Sequence, residues 1–439
     1  MKKYKNIFSS INIGRLRLPN RLVIPPMGTN YARDDGHLTD QFYDYWRERA
    51  KGGWGLLIVE VTAVDPLGKA IPRQPGIWND EYIGGFKHLT SIAHENETKI
   101  AVQLHHAGKQ TYKENIGGQK PVSASPIPCP VCQVTPHKLT TSEVYDLVEK
   151  FGDAALRAKK SNFDAIELHG AHGYLIAQFM SPNSNRRNDE FGGDFDSRMR
   201  FPREIIRNVR KKVGSDFPII FRISADEMVT GGRTIDESRA VAQFLEEEGV
   251  DALDVSIGVY GSMQYIIAPY DVPKAFNLHN IEEIKKAVDI PVIGVGRIHE
   301  PELAEEAINT GKTDMVAMGR QSLTDPYLPN KLAGGAQEEI APCISCLQRC
   351  MGYLFNPEEL EISCLVNPFC GREGEMKISP AEQQKKIIVV GAGPAGLEVA
   401  WIAASRGHKV TLYEKEEEVG GQLKAGAMGP NKQEFIKAI

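Results

Sequence analysis

The chain has 439 residues, 41% hydrophobic and 25% charged, with a mean hydropathy of −0.31, which is globular material long enough for one large core or several domains. Its 52 basic and 57 acidic residues leave a net charge of −5, without the basic excess that marks binders of nucleic acid or anionic membranes. The N-terminal MKKYKNIFSSINIGRLRLPN lacks the apolar run of a signal peptide, and no apolar stretch is long enough to span a bilayer, so a cytoplasmic protein with neither nucleic-acid nor membrane partners is expected.

Along the chain, short apolar runs rich in β-branched residues alternate with helix-patterned segments. NRLVIPP, WGLLIVE, KIAVQLH, FDAIELH, PIIFRIS, DALDVS, PVIGV and DMVAMG lie between residues 20 and 319. LTDQFYDYWRERAKG follows the first and SEVYDLVEKFGDAALRAKK the third, while the last leads into the short DPYLPNKLAG. Continuously apolar strands with helices between them predict a parallel sheet covered on both faces, closed as a (β/α)8 TIM barrel. In that α/β fold the functional groups sit where the strands end. Those ends read Pro25-Pro26-Met27, Glu60-Val61-Thr62, Gln103-Leu104-His105, His169-Gly170, Arg222, Ser256, Gly294-Val295-Gly296-Arg297 and Gly319-Arg320.

Strands seven and eight of such barrels commonly end at a phosphate, where glycines admit close approach and arginines offer forked donors. Turn glycines beside solvated arginines would look the same. Gln103 and Arg222, polar at the ends of buried strands, suit a planar heterocycle with carbonyls and ring nitrogens, such as a flavin. After strand four, ELHGAHGYL brings His169, His172 and Tyr174 into one glycine-punctuated turn, from which proton donors can converge on the barrel mouth.

The segment ELHGAHGYLIAQFMSPNSNRRNDEFGGDFDSRMRFP closely resembles the old yellow enzyme family of flavin-dependent ene reductases. PPMGTNY, AVQLHHAGKQ, FRIS, VIGVGRI and MAMGRQ extend the likeness over about residues 5 to 335. The resemblance implies that Pro26, Met27, Gln103, Arg222, Gly296, Arg297, Gly319 and Arg320 bind FMN. It further implies that His169 and His172 hold a substrate carbonyl oxygen and that Tyr174 supplies a proton.

Beyond the barrel, CISCLQRCMGYLFNPEELEISC carries Cys343, Cys346, Cys350 and Cys364, four of the seven cysteines, in a C-x2-C-x3-C-x13-C pattern. Ligand softness and spacing alone leave zinc and an iron–sulfur cluster both open. The subgroup that the chain resembles, with 2,4-dienoyl-CoA reductase, 2-enoate reductase, the bile-acid ene reductases and trimethylamine dehydrogenase, carries a 4Fe-4S cluster on this segment, and a cluster beside a flavin accounts for how electrons arrive. Cys370 reads as a bystander. Cys129 and Cys132, another C-x2-C pair with His137 nearby, read as free thiols on the loop after strand three; a zinc clip would be one ligand short of a closed site.

At residue 385 the pattern restarts with KKIIVVGAGPAGLEVAWIAASRGHKVTLYEK: a strand, G-x-G-x-x-G at Gly391, Gly393 and Gly396, a helix, and a second strand closed by Glu414. Strand, glycines, helix and acid in this order form a dinucleotide fingerprint, with the pyrophosphate at the helix N-terminus and Glu414 on a ribose hydroxyl. By resemblance this is the FAD site of a flavin disulfide reductase-like domain, yet too little chain follows to complete one. A truncated FAD/NAD(P)-binding Rossmann-like domain is expected, its residues mobile or propped against the barrel, with poor FAD binding.

These readings divide the chain into an FMN barrel over 1–335, a 4Fe-4S segment over 336–375 and an incomplete Rossmann-like domain over 384–439. The activity implied is an NAD(P)H-dependent ene reductase passing electrons through FAD and the cluster to FMN, whose hydride goes to the β-carbon of an α,β-unsaturated carbonyl compound. A trimethylamine dehydrogenase-like amine oxidation and a non-catalytic electron-transfer flavoprotein are the alternatives. Against the first, no cysteine precedes Cys129 to bind flavin covalently near strand one, and the His/His/Tyr set suits a carbonyl; against the second, an electron carrier has no need of Tyr174. SIGVYGSMQYII lacks the histidine that dienoyl-CoA reductases place beyond strand six, and Tyr260 stands there instead, which favours an enoate or steroid enone. NADH against NADPH, the acyl group and a homo-oligomeric state are left open.

Overall fold

The computed structural model describes residues 2–356 and 358–438. Its central feature is a closed parallel barrel of eight strands. They are β1 (Leu22–Ile24), β2 (Leu56–Ala63), β3 (Lys99–His105), β4 (Ala165–Gly170), β5 (Ile219–Ser224), β6 (Ala252–Ser256), β7 (Val292–Gly294) and β8 (Met315–Ala317). All eight expected strands are present, in sequential order, and β8 closes on β1 through Val316 opposite Leu22.

Almost every strand residue is buried, because helices cover the outside and side chains fill the inside. On the outside lie long amphipathic helices with defined starts. Thr140 and Glu143 form a reciprocal capping box at the head of the helix Thr141–Lys160, and Asp194 caps Phe195–Val213 by accepting from Ser197 N–H. The interior begins with an apolar plug: Leu56, Ile58, Ala101, Ala165, Ile220 and Ile293 pack together with Ile13 and Leu18 of the N-terminal hairpin. Strand parity then carries the same inward face upward from apolar to polar residues.

Residues 340–376 have little regular structure and are tied to the barrel by specific bonds. Tyr31 Oη donates to the Ile362 carbonyl at 2.5 Å, and Asn30 Nδ2 donates to the Leu360 carbonyl at 2.9 Å. Gln321 clamps the start of the segment, donating to the Ala341 carbonyl and accepting from Cys343 N–H, both at 2.8 Å. Arg49, fully buried, pairs with Glu373 at 2.8 Å, and its Nη2 lies 3.8 Å from the Cys370 sulfur. Cys370 therefore belongs to a structural anchor.

The last unit pairs β9 (Lys386–Val390) with β10 (Lys409–Tyr413) in parallel, joined by the helix Pro394–Ser405. Its apolar side chains are largely in solvent: Val390 is 84% exposed and Trp401 53%. It touches the barrel through Glu434, which meets Lys274 and Arg297, and through Phe435, whose ring lies 5.3 Å from that of Tyr270. Among the described residues, no helix is long and apolar enough to cross a membrane.

Candidate active site

Two residues above the apolar plug, the inward positions of four neighbouring strands are Gln103, Glu167, Arg222 and Asp254; their backbones pair directly as Gln103 with Glu167 and Arg222 with Asp254. All four are buried. Gln103 Nε2 donates to Glu167 Oε1 at 2.6 Å, which fixes the amide and leaves Gln103 Oε1 buried without a partner. Arg222 Nε lies 3.4 Å from Asp254 Oδ2 but is not aligned to donate to it, and remains similarly unpartnered. Burial, then the Asp254 charge, pushes Glu167 well above the carboxylate range. Burial also raises Asp254, against the pull of Arg222. Sequence reading found Gln103 and Arg222 but missed the two acids. The available signal was a charged residue inside the apolar runs FDAIELH and DALDVS.

One step further up, His169 from the end of β4 is joined by His172 and Tyr174 from the following turn. Ala171 N–H donates to His169 Nδ1 at 3.3 Å, so the ring proton belongs on Nε2. His172 adopts a left-handed backbone, φ 57°, held by its N–H donating to Ser224 Oγ at 2.9 Å. Its Nε2 is 2.7 Å from Ser256 Oγ, and a hydroxyl donating there puts the ring proton on Nδ1. Burial holds both imidazoles well below their ordinary pKa and therefore neutral at pH 7. The Tyr174 ring packs edge-on against His105 at 4.4 Å and His169 at 4.8 Å, and its hydroxyl is 2.9 Å from that of Tyr260. Burial raises Tyr174 to about 12, against the opposing effect of Tyr260. Tyr260, left without a role by the sequence, is thus the partner of Tyr174.

The barrel residues expected at a flavin all line a single cavity: Pro26, Met27, Gln103, Arg222, Gly296, Arg297, Gly319 and Arg320, together with His169, His172 and Tyr174. A Cβ at Gly296, φ 151°, would lie 2.7 Å from Asn277 Cβ, so that position needs glycine, and one at Gly319 would lie 2.7 Å from Met27 Sδ and displace that side chain. His299 lines the same cavity beside Arg297 and Arg320, with both ring nitrogens buried and unpartnered. The sequence reading did not single it out. Gln103 Oε1 and Arg222 Nε suit a ring that offers both N–H and carbonyl groups, and the two arginines suit a phosphate. Arg297 is also engaged by the protein, lying 3.2 Å from Ser345 Oγ and 3.5 Å from Glu434.

Cys343, Cys346, Cys350 and Cys364 line a second, much smaller cavity. Arg320, Leu323 and Cys350 line both cavities, so the two share a wall. Among the described residues, no three His, Cys, Asp or Glu side chains converge on a point fit for one metal ion. Four thiols lining one void are a donor set that suits a thiolate-held metal centre, a zinc or a polynuclear cluster. Burial raises the thiols of Cys343, Cys346 and Cys350, the last to about 11, a cost that a cationic cluster would offset. His137 Nε2 lies 3.0 Å from Glu143 Oε2.

In the last unit, Gly391 has φ 98°, and a Cβ on Gly396 would come within 2.0 Å of the Gly391 carbonyl oxygen. A Cβ on Gly393 would meet only Gly421 Cα, at 4.0 Å, leaving that backbone open to a pyrophosphate. The Glu414 carboxylate turns toward this loop and accepts from Ala392 N–H at 2.7 Å.

Comparison with known proteins agrees with this geometry. Residues 6–339 match the NADH:flavin oxidoreductase / NADH oxidase family and residues 389–433 an NAD(P)-binding Rossmann-like domain. The chain is 48% identical over 435 residues to an NADH oxidase of Thermoanaerobacter brockii, covering 98% of this chain and 66% of that protein. It is 39% identical over 447 residues to a cinnamate reductase of Clostridium sporogenes, covering 97% and 67%. A solved complex of 2-naphthoyl-CoA reductase with 2-naphthoyl-CoA superposes with a TM-score of 0.95 at 31% identity, over 99% of this chain and 68% of that one. The chain thus spans about two thirds of the length of these relatives. With its eight-stranded barrel, its polar ring at the strand ends and its start of a nucleotide-binding fold, it belongs to the NADH:flavin oxidoreductase / NADH oxidase family.

Proposed function

We propose that the barrel is an ene reductase acting on α,β-unsaturated carbonyl compounds, with FMN in the larger cavity and a 4Fe-4S cluster on Cys343, Cys346, Cys350 and Cys364. The observation that carries this reading is the convergence of His169, His172 and Tyr174 on the same cavity as the unpartnered Gln103 and Arg222 atoms. A flavin bound there supplies the hydride, and a cluster supplies single electrons drawn from NAD(P)H through FAD.

The protein residues do the rest. Two neutral imidazoles donate N–H bonds to the carbonyl oxygen, where negative charge grows as the β-carbon is reduced. Tyr174 delivers its proton to the α-carbon, and Tyr260 keeps its hydroxyl oriented. Met263, Ile266, Ile267 and Phe276 give the cavity an apolar wall suited to an alkene with a hydrophobic substituent. The similarity to a cinnamate reductase and to an aryl-CoA reductase supports that substrate class.

The decisive experiment mixes anaerobic, dithionite-reduced protein with cinnamate, crotonyl-CoA, a dienoyl-CoA and a steroid enone. Reoxidation of the flavin with stoichiometric saturated product is expected for at least one of them. Reduction of the oxidised flavin by a secondary or tertiary amine, with no alkene turned over, would overturn the reading.

The cluster assignment has its own readout. Protein purified without oxygen should carry about four iron and four sulfide per chain, and Cys350→Ser should lose both while keeping FMN. Zinc without sulfide would exclude the cluster.

A further inference from the structure

The C-x2-C pair on the loop after β3 has no part in the chemistry above, yet it lies against the residues that perform it. Cys129 and Cys132 form a small buried cluster with Tyr260, and Tyr174, Met263 and Ile266 pack against it. Both cysteines are free; Cys129 is fully buried, Cys132 is 7% exposed, and Val131 between them is 43% exposed. Gln133, in the left-handed region with φ 55°, donates its N–H to the Cys129 carbonyl at 2.9 Å and closes a single turn over the pair. Such a turn holds the first and fourth Cα atoms about 5 to 6 Å apart, the span a disulfide needs.

The two sulfurs are not equivalent. The Cys132 thiol, the backbone N–H groups of Cys132 and Val131, and the Lys109 ammonium all favour a thiolate on Cys129 and hold it at about 6 despite burial. The same contact, and then burial, pushes Cys132 up. Lys109 is itself buried, with Cys129 and Glu227 as its counter-charges. One activated nucleophile beside one protonated partner is the arrangement of attacking and resolving thiols.

We propose that Cys129 and Cys132 are a redox-active dithiol, closed to an intramolecular disulfide by a small-molecule disulfide, and that closure weakens ligand binding at the Tyr174–Tyr260 pair. Opening of the turn at Val131, 43% exposed, bares the buried Cys129 thiolate, which attacks one sulfur of R–S–S–R and expels RS⁻, forming a mixed disulfide. Cys132 then gives up its proton, attacks the Cys129 sulfur and expels the second RS⁻. Two protein thiols are oxidised and one small disulfide is reduced to two thiols. Tyr260 packs in one cluster with the two cysteines while its hydroxyl meets that of Tyr174 at 2.9 Å, so drawing the sulfurs together moves the support of the proton donor.

The dithiol stands without the proposed function, whereas its effect on ligand binding rests on that reading. The test incubates the anaerobic holoprotein with 2-hydroxyethyl disulfide, alkylates the remaining thiols and maps the peptides by mass. The peptide bearing Cys129 and Cys132 should escape alkylation, weigh two hydrogens less and recover with dithiothreitol. Cys132→Ser should stop at a stable mixed disulfide on Cys129. Recovery of both cysteines as alkylated free thiols would overturn the dithiol. In parallel, the cinnamate titration of FMN absorbance should shift to weaker binding on oxidation of the wild type but not of Cys129→Ser. An unchanged midpoint in fully disulfide-bonded protein would overturn the link to the tyrosines. Protein that binds no FMN would defeat the proposed function instead, and the mass map would still decide the dithiol.

Discussion

Tyr174→Phe is expected to slow the oxidation of reduced flavin by an activated alkene about 10²- to 10⁴-fold, the usual contribution of a positioned general acid. Ligand binding should survive, because the ring's packing against His105 and His169 does not need the hydroxyl. His169→Ala and His172→Ala should instead weaken binding and turnover together if, as proposed, they hold the carbonyl oxygen before and during reaction. The pH profile separates these roles further. With its pKa raised to about 12, Tyr174 keeps its proton through neutral pH, and the alkene step should fall only as pH climbs toward that value. The histidines are shifted the other way, so they stay neutral on acidification past their ordinary pKa near 6.5 and should give no break there. Stopped-flow traces of flavin reoxidation across pH settle both points. A Tyr174→Phe rate equal to wild type would show that the proton comes from elsewhere.

Arg49→Ala should be the most damaging single change far from the cavity. The guanidinium is fully buried, pairs with Glu373 at 2.8 Å, donates to the Tyr45 carbonyl at 2.8 Å and lies 3.4 Å over the Tyr45 ring. Removing it leaves Glu373 as an unanswered buried charge, which costs about 3 to 5 kcal/mol. Because Glu373 and Cys370 belong to the cysteine-bearing segment, the loss should appear as a lower thermal midpoint together with faster proteolysis within residues 340–376. Arg49→Met with Glu373→Gln should recover much of it, since no unpaired charge remains. An unchanged midpoint in Arg49→Ala would mean that the pair does not anchor the segment.

The barrel was legible because continuously apolar runs at regular intervals have few other solutions, and the strand ends named about a third of the cavity's lining, including Gln103, Arg222, Arg297 and Arg320, before any geometry was known. Three kinds of feature were not legible. Glu167 and Asp254 lie within strands that read as purely structural, and only inward parity on neighbouring strands brings them beside Gln103 and Arg222. Tyr260 and Ser256 lie far along the chain from Tyr174 and His172, and only barrel closure makes them partners. The shared wall at Cys350 and Arg320 could not be read because the cysteine segment folds by side-chain ties, such as Gln321 to Ala341, that leave no periodic trace.

The layer of Gln103, Glu167, Arg222 and Asp254 also sets a charge count. Asp254 lies beside Arg222, and burial favours the protonated form of Glu167, so the floor beneath the cavity carries less net charge than its three ionisable groups suggest. On the proposed FMN site, a flavin that becomes anionic on reduction would gain less compensation from such a floor than from an unpaired arginine, and its midpoint potential would be lower. A low potential makes a strong hydride donor. If the barrel is the ene reductase proposed above, that would bring carboxylate-bearing and other weakly activated alkenes, which accept hydride less readily than unsaturated ketones do, within its reach.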